Sequence, residues 1–160
     1  MKKSYILVVS MLSIFGFAFA LKKQEKQFIN YITRLCDNGG SYSCNFLGLR
    51  YIHTNHKEKA FYYFKKSCYL GFKTGCYNAG WMLEHGDGIK RDYKDAIFFY
   101  RKACYMGSAD GCNNLGWMYQ FGKGVQKNPA IALEFYQKAC KMNPVFDCVN
   151  LNHIYKHGFR

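Results

Sequence analysis

The apolar positions of the chain fall into helical stripes that return at a fixed interval. Ala96, Phe99, Tyr100 and Ala103 lie at i, i+3, i+4 and i+7, one face of an α-helix. Ala60, Tyr63, Phe64 and Ser67 repeat the stripe, and so do Ala132, Phe135, Tyr136 and Ala139. The small residue at Ala60, Ala96 and Ala132 predicts a tight helix crossing. A second stripe is formed by Cys112, Leu115, Gly116 and Tyr119. Gly48, Gly80 and Gly116 hold equivalent places in it. Glycine inside a helix costs about 1 kcal/mol against alanine, so its recurrence predicts close packing against another helix. Each unit therefore reads as two helices. Asn128 followed by Pro129 is a start signal for the second of them. "GDG" at 86–88 and "GKG" at 122–124 join the two helices, with glycines suited to positive φ. The first unit lacks this loop and turns more tightly through "HTNHK".

Cysteines set the period. Cys36 and Cys44, Cys68 and Cys76, Cys104 and Cys112, and Cys140 and Cys148 are all i, i+8 pairs. Cys68, Cys104 and Cys140 follow one another at intervals of 36 residues, and Cys36 precedes Cys68 by 32. A fixed period in this range signals a solenoid of stacked units. The expected division is a partial unit over about 22–43, units over 44–75, 76–111 and 112–147, and a partial unit over 148–160. Eight residues of continuous helix span about 12 Å, whereas a disulfide needs its Cα atoms within about 7 Å. If these cysteines bond to each other, the chain reverses between them. "DNGGSYS", "YLGFKTG", "YMGSADG" and "KMNPVFD" all carry turn formers. Eight cysteines allow many pairings, and the shared spacing makes the local one, Cys36–Cys44, Cys68–Cys76, Cys104–Cys112 and Cys140–Cys148, the simplest. The rival is zinc, whose structural cysteines usually sit about two to four residues apart within a pair.

The opening "MKKSYILVVSMLSIFGFAFA" changes the setting. Lys2 and Lys3 precede an apolar run from about Tyr5 to Phe17, which closes on Ala18-Phe19-Ala20. This is the layout of a secretory signal peptide over residues 1–20, cleaved near Ala20. The run is short for a membrane span; a signal anchor is the other reading. No later stretch approaches a span, so residues 21–160 are expected to form a single secreted or periplasmic domain. Export makes disulfides natural. The formal charge of +13 falls to about +11 without Lys2 and Lys3, which favours anionic partners. Export points these away from nucleic acid and toward acidic cell-surface polymers or proteins; the alternative is simply a soluble basic surface.

At "GCNNLGWMYQFGKGV" and "NPAIALEFYQKAC" the chain resembles the Sel-like repeat, a relative of the tetratricopeptide repeat. Leu115-Gly116, Tyr119, Gly122, Gly124-Val125, Ala132, Tyr136, Lys138 and Ala139 carry the match. With the i, i+8 cysteines and the leader, it resembles the Helicobacter cysteine-rich family of secreted Sel-like repeat proteins. The departures are the shortened first unit, Asn152 in place of glycine, and an incomplete last unit. The resemblance implies an all-α, right-handed solenoid of antiparallel helix pairs, disulfide-bonded within local units. It also implies penicillin binding and a β-lactamase-like activity.

The residues themselves give hydrolysis little support. No Ser-x-x-Lys occurs, the arrangement in which an amine helps to deprotonate the nucleophilic hydroxyl, and there is no G-x-S-x-G. Beyond the leader the serines are Ser41, Ser43, Ser67 and Ser108. His153 and His157 stand at i, i+4 and would be a metal pair or surface histidines; no H-E-x-x-H pattern exists. No cofactor motif is present. Any catalysis would need an unconventional site, such as a lactam polarised by Lys or Arg and attacked by water near a carboxylate.

A binding groove is the better-supported expectation. By resemblance to tetratricopeptide proteins, the first helices line the concave side. Their free face carries Asn113, Trp117 and Gln120. The equivalents are Asn45, Leu49 and Ile52, then Tyr77, Trp81 and Glu84, then Val149, His153 and Lys156. One position further along stand His53, His85, Phe121 and His157. Asparagines can clamp an extended backbone and tryptophans supply apolar area, so Asn45, Tyr77, Trp81, His85, Asn113, Trp117, Gln120 and His153 are the candidate contacts. The ligand would be a β-lactam or a peptide, or a protein partner, met by a monomer. The alternative is that Trp81 and Trp117 pack between repeats. Arg34, Lys66, Lys102 and Lys138, each two residues before a cysteine, would offset the helix dipole or form a strip for an anionic partner.

Overall fold

A computed structural model describes residues 2–144 and 148–158. Eight helices follow one another among them: α1 (Lys2–Asp37), α2 (Ser41–His53), α3 (Lys57–Tyr69), α4 (Lys73–His85), α5 (Tyr93–Tyr105), α6 (Ala109–Phe121), α7 (Pro129–Met142) and α8 (Val149–His157). The described residues contain no strand. Each helix packs on the next, and the pairs α2–α3, α4–α5 and α6–α7 are the repeating unit. α1 and α8 flank them as single helices, and α1 runs through the expected cleavage point without a break. No described helix is long and apolar enough to cross a membrane.

The recurrent glycines explain how closely each pair approaches. A Cβ on Gly48 would lie 2.5 Å from the Phe64 ring; on Gly80 it would lie 2.8 Å from Tyr100, and on Gly116 2.9 Å from Tyr136. Real side chains do not meet at such distances, so these positions admit only hydrogen. The opposing alanines Ala60, Ala96 and Ala132 are fully buried, as the tight crossing requires. Asn128 caps α7, its side-chain oxygen accepting from the Ile131 N–H at 3.1 Å. Gly86 and Gly122 end α4 and α6 in the left-handed region, at φ 67° and 66°.

All four local disulfides are formed: Cys36–Cys44, Cys68–Cys76, Cys104–Cys112 and Cys140–Cys148, with Cα separations of 4.4 to 4.8 Å. Each ties the end of a second helix to the start of the next first helix. The reversal uses a glycine three residues after the first cysteine. Gly39, Gly71 and Gly107 take φ of 91°, 90° and 82°, and the next N–H bonds back to Leu35, Ser67 and Ala103 respectively. This is the left-handed helix end that glycine favours. In the fourth turn Asn143 stands there in an extended conformation, and positions 145–147 lie outside the described residues.

Lysines join one unit to the next. Lys66 bonds Asp37 at 2.6 Å, Lys102 sits over the Tyr69 ring at 4.6 Å, and Lys138 over Tyr105 at 4.8 Å. These three cations reach back to the residue just after the first cysteine of the preceding unit. The hydrogen bond to Asp37 is the main cause that holds the Lys66 ammonium above its usual pKa.

Gly116→Ala tests the close approach with an unambiguous sign. Helix propensity alone predicts a gain of about 1 kcal/mol, whereas overpacking against Tyr136 predicts a loss of about 1–3 kcal/mol. A lower urea midpoint is expected; an unchanged or higher one would show that the pair can spread at no cost.

Candidate binding face

Asparagines join the first-type helices α2 to α4 and α6 to α8. Asn78 donates to the Asn45 side-chain oxygen at 3.0 Å, and Asn150 donates to that of Asn113 at 2.8 Å. Asn45 is buried, at 5% exposure. Two candidate asparagines therefore spend an acceptor on the neighbouring unit. Gln120 is buried as well, and its side-chain oxygen accepts from the Tyr136 hydroxyl at 2.7 Å. Gln120, expected on the groove, thereby also links α6 to its own partner α7. Glu84 does the same with Tyr100 between α4 and α5. The reason is geometric: a long side chain at this point of the helix reaches over the crossing to the buried tyrosine hydroxyl of the partner helix.

The aromatics lie differently. Trp81 is 38% exposed and stacks on His85, ring centres 4.3 Å apart. One unit on, Trp117 meets Phe121 at 5.2 Å. Leu49 and Phe121 are exposed, while Trp117 is half-buried against the main core cluster. Tyr77 is half-buried on the same cluster, 6.0 Å from the Tyr100 ring. A cavity of about 230 Å³ opens between α6 and α8, lined by Trp117, Gln120, Phe121, Asn150, His153 and Ile154. The structure thus brings Trp117, Gln120 and His153 together, sets Trp81 and His85 one unit away, and places Asn45 in the stack. The side chain of His157 lies outside the described residues. Phe121 and Asn150 complete the cavity. Phe121 stands in the column of His53, His85 and His157, and Asn150 in that of Asn78 and Asn114.

The thiols and two of the serine hydroxyls serve the fold. Every cysteine is bonded. The Ser67 hydroxyl donates to the Ser41 carbonyl at 2.8 Å, and Ser108 caps α6. Among the described residues no group of three His, Cys, Asp or Glu side chains is placed to hold a metal ion.

Fold and face together define a disulfide-stapled helical-repeat scaffold. The Sel1 repeat model matches residues 41–72, 74–108 and 109–144, and the chain belongs to that family. Helicobacter pylori cysteine rich protein B is similar over 79% of this chain and 94% of that one, at 32% identity and a TM-score of 0.61. A protective antigen of uropathogenic Escherichia coli strains, displaying an SLR fold, superposes with a TM-score of 0.73 at 28% identity, over 81% of this chain and 28% of that one. The mouse DAP3-binding cell death enhancer 1 is 45% identical over 53 residues, 33% of this chain; the match spans 10% of that protein's length.

Burial raises the pKa of Tyr136 and, with the bond to Glu84 adding to it, that of Tyr100. Folded values above the unfolded one, about 10, mean that this contribution to stability is intact below about pH 10 and is lost as pH rises further. Urea midpoints should fall from about pH 10 upward, and less steeply in Tyr136→Phe. An equal slope in the variant would remove Tyr136 from the cause.

Proposed function

We propose that the protein is an exported, non-enzymatic binding scaffold that takes an extended peptide segment on the concave row of Leu49, Trp81, Trp117, Phe121 and His153. Residues 1–20 would act as the signal peptide, and the similarity to the cysteine-rich Helicobacter protein supports an extracytoplasmic place. The observation that carries the reading is the cavity between Trp117 and His153, continued by the exposed Trp81 and Leu49. An apolar row interrupted by amide and imidazole groups suits the alternate side chains of an extended chain. A relative named for binding another protein fits the same reading.

Penicillin binding is the second reading. It rests on the resemblance to the cysteine-rich family, and a lactam is small enough for a 230 Å³ cavity. Hydrolysis would need a water and a carboxylate beside the bound lactam, since the thiols and two of the hydroxyls serve the fold.

One titration separates these. A fluorescent penicillin and a labelled extended peptide are each added to the oxidised protein, then competed with the unlabelled other. Peptide binding that Trp117→Ala weakens about tenfold or more, with a smaller loss of stability, supports the groove. Equal losses of affinity and stability mean that Trp117 serves packing. Penicillin labelling without peptide binding transfers the site to the second reading. Steady nitrocefin turnover by metal-free protein that survives further purification would refute the non-enzymatic assignment.

A further inference from the structure

A cavity of about 500 Å³ lies at the other end of the stack, between α1 and α2. Small-molecule sites usually occupy about 300–1,000 Å³. Ile29, Leu47 and Tyr51 form its apolar wall, and Lys22, Glu25, Lys26 and Arg50 stand around its mouth. α1 carries the first cysteine of a pair, as α3, α5 and α7 do, so it is a second-type helix. Among the described residues no first-type helix pairs with it.

Arg50 marks the place. Its equivalents in the next two units are Met82 and Met118, exposed by 1% and 0% inside the stack. Arg50 is 39% exposed at its side chain and pairs with Glu25 of α1. An end position needs some polar residue, but any small one would serve. A guanidinium at the mouth of an apolar cavity is more selective, because its planar fork matches a carboxylate. Glu25 already supplies one. The lining holds three permanent cations against that single anion, which leaves positive charge for a second.

We propose that this cavity binds an amphiphilic carboxylate. A single apolar chain enters along Ile29, Leu47 and Tyr51, and its head group meets Arg50, with Lys22 and Lys26 beside it. Glu25 occupies part of the head-group position and competes with the ligand. The site is separate from the concave row and does not depend on the function proposed for it.

The test is calorimetric titration of the oxidised protein with decanoate below its micelle concentration. One site is expected, with decanol about tenfold weaker or worse, as loss of a charge-assisted contact implies. Arg50→Met should weaken decanoate about tenfold. It installs the residue that the next two units carry, so it should fold. Glu25→Gln should tighten decanoate by removing the competitor, and it reads the same contact through a different side chain. Trp117→Ala should leave decanoate binding unchanged. No binding overturns the proposal, as do equal binding of decanol and decanoate and indifference to both Arg50→Met and Glu25→Gln. Decyl phosphate binding where decanoate does not would overturn the carboxylate assignment.

Discussion

The structure depends on the contact between a bare glycine and an aromatic ring. At Gly48, Gly80 and Gly116 the backbone of a first-type helix lies directly against Phe64, Tyr100 or Tyr136. Because nothing stands between ring and backbone, Tyr100 and Tyr136 are completely buried. Their hydroxyls must then find partners, since an unpaired buried polar group is costly. Glu84 and Gln120 provide them. One steric choice therefore determines the depth of the core, the identity of its largest side chains and the use of two polar residues on the first helices.

A helix pair of this size cannot bury its faces alone, and each unit relies on its neighbours. The disulfide acts at the junction where that reliance is passed on. It closes a loop of about nine residues and stabilises by roughly 2.5 kcal/mol in the chain-entropy model. Its greater effect is on register. With the end of one second helix tied to the start of the next first helix, Asn78 and Asn150 reach Asn45 and Asn113, and Lys102 and Lys138 reach Tyr69 and Tyr105. The two kinds of cross-unit contact lie on opposite helix types, so together they restrain the angle between units.

The period, the pairing of helices, the disulfides and the close glycines were legible in the sequence because each is a local pattern stated several times. The hydrogen bonds of Asn45 and Gln120 were not legible in the same way. Helical spacing assigns a residue to a face, but it does not say which way a long or branched amide turns at the edge of that face. Gln120 lies where the free face meets the crossing, and the buried Tyr136 hydroxyl decides its direction. The lysine column was open to two readings for a similar reason. Its partner is a residue 29 positions back for Lys66, a relation that no single-helix pattern contains. Phe121 was visible as a column member. Asn150 shares a column with Asn78 and Asn114, a repeat that the groove expectation passed over.

In a repeat protein, agreement and disagreement between units carry different information. Where equivalent positions agree, as at Gly48, Gly80 and Gly116, the stack requires the residue. Where they disagree, either the stack has released the position or the environment there differs. His85 and Phe121 are equivalent, and both pack on a tryptophan one turn earlier, His85 stacked and Phe121 tilted; the solenoid accepts either ring, so their difference is free to serve a ligand. His153 stands where Trp81 and Trp117 do, and this exchange opens the space that Trp117 and Phe121 line. Arg50 stands where Met82 and Met118 are buried, and there it faces the cavity beside α1. These two cavities lie toward opposite ends of the row of first-type helices, each at a position where equivalent residues of the repeat differ.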